Sequence, residues 1–282
     1  MRFFKILTIF FISFLFFGAH APTPNLSCRE IIFQMLDSIK KIKTQRYDVK
    51  AVERVNGNLK LADSHIKLNI NPWKVYFLSP KGIEILWVQG SNNGDAIVHS
   101  SSLPFMNFNL DPYGSVMRKD QHHTIFDLGF PYIGSTIGNT IIKAPKDFDK
   151  HFAYAGTLIW NKTECYQIVI TYPEYKYIEY TTGKGETVTS IAYKLNTSDY
   201  KIRYINELSS YYGTIKEGKK LFIPTPYSNK TIVYIDKKTF IPLSIKVYDE
   251  EGLYEAYEFY NVQINTTFAA DEFSKNYKGY GF

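Results

Sequence analysis

The sequence predicts an α+β fold: an antiparallel sheet with an N-terminal helix, interrupted in its second half by a small helical insert. Three observations predict it. Runs with an apolar period of two recur from Tyr47 to Tyr260, broken by turn residues at intervals of roughly eight to twelve. A capping box opens a helix-period run at the start of the mature chain. One block, Lys184–Pro224, interrupts the strand pattern with two helix-period runs of its own.

Taken in order, Met1–Ala21 holds Arg2 and Lys5, an apolar run from Ile6 to Phe17, and Ala19-His20-Ala21. Those are the three zones of a secretory signal peptide, with a retained anchor as the alternative. The apolar run is short for a bilayer span. The mature chain is therefore expected in the periplasm or cell envelope, not membrane-spanning after cleavage. Losing Arg2 and Lys5 and no acid lowers the net charge from +6 to +4. No dense basic run exists outside Lys40–Lys43, so no nucleic-acid partner is expected. Two cysteines in an exported chain invite a Cys28–Cys165 disulfide, with two unpaired buried thiols as the alternative. Leu26 stands one place too near Cys28 for a lipidation site.

Ser27-Cys28-Arg29-Glu30 is the capping box, and Ile31, Ile32, Met35, Leu36, Ile39 and Ile42 follow at helical spacing. This predicts an amphipathic helix over Cys28–Lys43. The period then changes to two. Tyr47–Val55 ends at Asn56-Gly57, a hairpin turn. Ile66, Leu68 and Ile70 alternate with polar residues, then Val75 and Phe77, then Ile83, Ile85 and Trp87, with Ala96–His99 after the Asn92–Asp95 turn. Leu103–Asp120 is irregular, and Ser115–Gly138 is read as one or two short helices. Strand patterns return at Phe152–Ile159 and Cys165–Tyr172. They resume beyond the helical block at Thr231–Ile235, Leu243–Val247 and Tyr254–Tyr260. The chain therefore divides into a host domain (22–176 and 226–282) and an insert (177–225).

Within the insert, Thr187, Ile191 and Leu195, with Val188 and Ala192 beside them, make one apolar helix face. Tyr200, Ile202, Ile205 and Leu208 make a second, with Ser198 or Asp199 as its N-cap. Gly185-Glu186-Thr187, Ile191-Ala192, Asn206 and Gly218–Pro224 (GKKLFIP) stand at the spacing of a LysM module, which this segment resembles. Tyr177–Tyr180 would be its first strand. The segment departs from the family pattern in a longer stretch, Leu208–Ile215. The resemblance implies a βααβ unit that binds peptidoglycan or a chitin-like glycan in a groove between two loops. Gly185, Glu186, Thr187 and Val188 match the first loop; Glu207, Leu208 and Ile215 fall in the second. Asn206 reads as a tie between helix end and loop.

The closing stretch has an Asp236…Thr239 turn, Pro242, an Asp249…Gly252 turn, and a run of Phe259, Asn261, Val262, Asn265 and Phe273. With the N-terminal helix and the bent sheet, this resembles the LolA-type periplasmic fold. Asn71–His99 is also similar to an uncharacterised bacterial envelope family of that superfamily. The resemblance implies an open barrel whose concave face takes a lipid, lipoprotein or other apolar partner. Aromatics make up 17% of the chain, most of which a Phe- and Tyr-rich sheet core accounts for; Trp73, Phe77, Trp87, Phe105 and Phe108 are the candidates for lining such a cavity, with pure core as the alternative.

Catalysis finds little support. No nucleophile elbow, zinc-binding helix or phosphate loop occurs, and no cofactor or metal is expected. His122-His123 is the one conspicuous pair. On a strand its rings would face opposite sides, so it reads as capping or packing. His65, His99 and His151 are isolated. The expectation is a non-catalytic envelope protein that binds glycan through the insert and an apolar ligand or lipoprotein through the host. The alternatives are an apolar-ligand carrier whose insert is only a lid or protein contact, and a cell-wall hydrolase using carboxylates that no spacing reveals.

Overall fold

The computed structural model describes residues 26–209 and 213–282, so the leader read over Met1–Ala21 lies outside the described residues. Helix α1 (Cys28–Lys40) starts at the expected capping box, where Ser27 Oγ accepts from Glu30 N at 3.2 Å and the Glu30 carboxylate accepts from Ser27 N at 2.8 Å. It buries Ile31, Ile32, Met35 and Ile39. It stops three residues short of its pattern, because Lys43 N donates to Asn265 Oδ1 at 2.7 Å and the first strand begins at Thr44.

The strands follow as β1 (Thr44–Val55), β2 (Asn58–Asn69), β3 (Lys74–Leu78), β4 (Ile83–Val88), β5 (Ala96–Ser100) and β6 (Asn107–Leu110). Asn56 and Gly57 both take positive φ, which lets the β1–β2 hairpin turn in two residues. A single helix, α2 (Phe130–Lys143), stands where short ones were expected. Pro131 suits its first turn. Gly134 lets it close on α1, since a Cβ there would meet Ile39 at 2.9 Å. A short α3 (Phe148–His151) leads into β7 (Phe152–Trp160) and β8 (Thr163–Thr171).

The insert holds β9 (Lys176–Thr181), α4 (Val188–Leu195), α5 (Asp199–Ile205) and β10 (Lys220–Thr225). The chain closes with β11 (Lys230–Asp236), β12 (Pro242–Asp249) and β13 (Gly252–Ile264). Among the described residues, eleven strands form one antiparallel sheet in the order β6-β5-β4-β3-β2-β1-β13-β12-β11-β8-β7, while β9 and β10 pair only with each other. β6 and β7 stand at opposite ends of that order, so the sheet is open. Two pairings hold the host together. β1 pairs with β13, joining the ends of the chain, and β8 pairs with β11 directly across the insert, with Thr171 opposite Lys230. Bulges at Arg46/Asp48 and Tyr154/Thr157 bend the strands that carry them. α1 and α2 cover one face.

The insert has its own small core of Val188, Ile191, Ala192, Ile202, Leu221 and Ile223. Thr187 caps α4 in a capping box with Ser190, and Ser198 is the cap of α5, its Oγ accepting from Lys201 N at 3.2 Å. Tyr200 leaves this core and joins that of the host.

Candidate functional site

Alternation along β1 and β13 sends Tyr47, Val49, Ala51 and Glu53, then Glu255, Tyr257 and Phe259, to one face of the sheet. Between that face and α2 lies a cavity of about 210 Å³. Ile66, Ile133, Ile137, Ile245, Val247 and Phe259 make its apolar walls. Solvent-exposed Ala62 lines one side, so the cavity reaches the surface there.

One end of the cavity is polar. Glu255, 3% exposed, accepts from His122 Nδ1 at 2.9 Å, His123 Nε2 at 3.2 Å and Tyr227 Oη at 2.9 Å. Glu53 accepts from the His122 backbone N–H at 2.7 Å and from Tyr257 Oη at 2.6 Å. Burial alone would raise the Glu255 carboxyl; the imidazoles of His123 and His122 hold it well below the usual carboxylate range instead. Burial works against a charge on His123, but Glu255 outweighs it and pushes the ring up to about 9. The histidine pair lies in a loop, not on a strand, so both rings converge on one carboxylate. Its expected packing role thus becomes a buried ionic one. The strand parity of Glu53 and Glu255 was the available signal, because a carboxylate at an inward position needs a partner.

His122 also joins the host to the insert. Its ring stacks between Tyr200 of α5, centroids 4.4 Å apart, and Tyr254 of β13, at 4.3 Å. Around this stack, Arg118 makes a two-pronged ion pair with Asp199 at 3.0 and 2.8 Å, and Thr189 donates to the same carboxylate. Lys201 donates to Asp249 at 2.6 Å, and Arg54 pairs with Asp249 as well. Ser198 and Tyr254 hydroxyls meet at 2.7 Å. The insert is therefore seated on the host through buried charge and aromatic stacking.

Much of the polarity of the glycan residues expected from the sequence is already engaged. Gly185 turns at φ 76°. The Glu186 carboxylate accepts from Gly183 N, Tyr180 Oη and Lys194 Nζ, which pulls it down to about 2. Thr187 is a helix cap and Val188 is buried. Ile215 N donates to Glu186 O at 2.8 Å, which ties the two loops of the expected groove together. Leu208 and Ile215 pack on the insert core, and Glu207 is exposed. Asn206 caps α5 and stitches it to β10, accepting from Phe222 N at 2.8 Å and donating to Phe222 O at 2.7 Å. Asn206→Ala is expected to cost about 1–2 kcal/mol, because it leaves backbone groups of the stitch unpaired; a fall in thermal midpoint checks it.

Two other expectations change. Among the five aromatic candidates, only Phe77 lines the cavity. Trp73 packs on the core, Trp87 rests edge-on against Phe126, Phe108 is half-buried on edge strand β6, and Phe105 is 97% exposed at a turn. Cys28 and Cys165 are free thiols, not a disulfide. Cys28 starts α1 beside Arg29 and Asp149, whereas Cys165 sits inside β8 beside Asp236, and burial pushes both up to about 11. Among the described residues, no group of three His, Cys, Asp or Glu is placed to hold a metal ion, and no helix is long and apolar enough to cross a membrane.

Residues 180–224 match the family model of the LysM domain. The insert is a LysM module. Residues 43–181, from β1 to the start of that module, match a family described as "Protein of unknown function (DUF1571)". No curated protein matches the chain. Among solved structures, the chain resembles the Mycobacterium tuberculosis lipoprotein LppX at 12% identity and TM-score 0.42, covering 86% of this chain and 98% of that one. MucB in the Pseudomonas aeruginosa MucA/MucB complex gives 11% and 0.39, covering 87% of this chain but 60% of that one. A LolA superfamily protein from Nitrosomonas europaea gives 10% and 0.33, covering 89% and 99%. These likenesses are loose. The open, helix-covered antiparallel sheet of the host, with the LysM module between β8 and β11, stands on its own strand order.

Proposed function

We propose that this is an exported, non-catalytic protein of the bacterial envelope that docks on N-acetylglucosamine-containing glycan through the LysM module and takes an apolar guest in the host sheet. The observation that carries the reading is the apolar cavity of about 210 Å³ under α2, in a chain whose insert matches a glycan-binding module. An apolar cavity of about 150 Å³ suffices for a benzene ring. Each methylene buried contributes about 0.8 kcal/mol, so a short aliphatic segment has enough driving force to bind.

A second reading has one observation in its favour. The loops of the expected groove are hydrogen-bonded to each other and the module is seated by buried charge, as suits a buttress or lid over the host. Co-sedimentation with purified peptidoglycan separates the two. The wild-type protein is expected to pellet with the sacculi and to be released by soluble N-acetylglucosamine oligomers. Protein that stays in the supernatant would remove the glycan role and leave the buttress.

A further inference from the structure

We infer that the cavity selects guests with a neutral or cationic, hydrogen-bond-donating head and rejects chains headed by a carboxylate or phosphate. The inference rests on the guest site proposed above and names the chemistry of its polar end.

The charges lining the cavity are unbalanced. Among the described residues, Glu53, Asp127 and Glu255 are the lining carboxylates, against the imidazole of His123, and no Lys or Arg lines the cavity. His122 touches Glu255 from behind the wall. Even with both rings charged, the acids outnumber the cations.

The hydrogen-bonding capacity is lopsided in the same direction. Two tyrosine hydroxyls at this end are spent as donors, Tyr257 to Glu53 at 2.6 Å and Tyr227 to Glu255 at 2.9 Å. His123 Nε2 is spent on Glu255 at 3.2 Å. Asp127 accepts from Thr124 N and Oγ1 at 2.9 and 2.8 Å, and from Tyr193 Oη at 2.7 Å. A carboxylate offers about four lone-pair sites. Among the described residues, Glu53 accepts from His122 N and Tyr257 Oη, two of its four lone-pair sites, so acceptor capacity remains on it. A hydroxyl or ammonium head can donate into that capacity. An anionic head would meet two nearly buried carboxylates in a medium where like charges repel strongly.

The test uses the full-length mature protein and three eight-carbon probes, a length scaled roughly from the benzene-sized cavity. Octylamine, 1-octanol and octanoate are titrated calorimetrically at pH 7 and low salt. Octylamine and octanol are expected to bind at least about tenfold more tightly than octanoate. Asp127→Asn removes one charge while letting the Tyr193 hydroxyl turn and accept, and is expected to narrow the gap about threefold or more. Octanoate binding as tightly as octylamine overturns the head-group inference while the guest site stands. Failure of all three probes removes the guest site, and this inference with it.

Discussion

Replacing Asp199 with alanine is expected to lower the unfolding free energy by about 3–5 kcal/mol, the usual cost of deleting one partner of a buried ion pair. The Arg118 side chain is 0% exposed and holds Asp199 through both terminal nitrogens. The substitution removes the carboxylate partner of a guanidinium that lies where water cannot reach it. It also takes the acceptor from Thr189 and an acid from the first turn of α5. The check is the urea midpoint at pH 7, with the slope of the transition unchanged. Arg118→Met combined with Asp199→Leu should recover most of the loss, because a well-packed apolar pair often replaces a buried ionic one without penalty. A loss below about 1 kcal/mol for Asp199→Ala would mean that the module does not sit on the host in solution.

How far the sequence reveals this arrangement depends on the range of the interaction. Local devices are legible: the Ser27–Glu30 box, the Asn56-Gly57 turn and the Ser198 cap of α5 all lie within a few residues of what they organise. The long-range seat is not. Arg118 and Asp199 stand 81 positions apart, and no periodicity links a loop arginine to a helix N-terminus. Ser115–Gly138 reads as one or two short helices, whereas the helix runs from Phe130 to Lys143, and its Gly134 is what allows α1 to approach. Phe105 misses the cavity for a related reason. Strand parity predicts facing only inside a strand, and Phe105 lies in a turn. Parity applied to acids instead of aromatics would have marked Glu53 and Glu255, which share a face with Val49, Ala51 and Tyr257.

Glu255→Gln is expected to change how stability depends on pH more than any other single substitution. His123 holds its proton up to about 9 in the folded chain, against an ordinary value of 6.5. A group raised in this way contributes stability that is complete below the ordinary value and lost as pH climbs through the folded one. Glu255 is shifted the other way, so its contribution is complete above the ordinary 4.5 and lost as pH falls. These are two views of one ion pair, and its contribution is fullest between about pH 4.5 and 6.5. From pH 6.5 to 9 the wild-type protein should lose about 3 kcal/mol from this source. The tyrosines packed around it, Tyr227, Tyr254 and Tyr257, are pushed well above their ordinary range by burial and add no slope in that window. In Glu255→Gln the neutral amide no longer offsets the burial of His123, so most of the alkaline slope should vanish. Urea titrations of both proteins at pH 6.5 and 9 read this directly, and parallel slopes would refute it. Because His122 shares that carboxylate and stacks on Tyr200, the same substitution should also loosen the module's seat. In that case, proteolysis near the module at pH 6.5 should be faster in the variant than in the wild type, whereas cleavage at equal rates would confine Glu255 to the host alone.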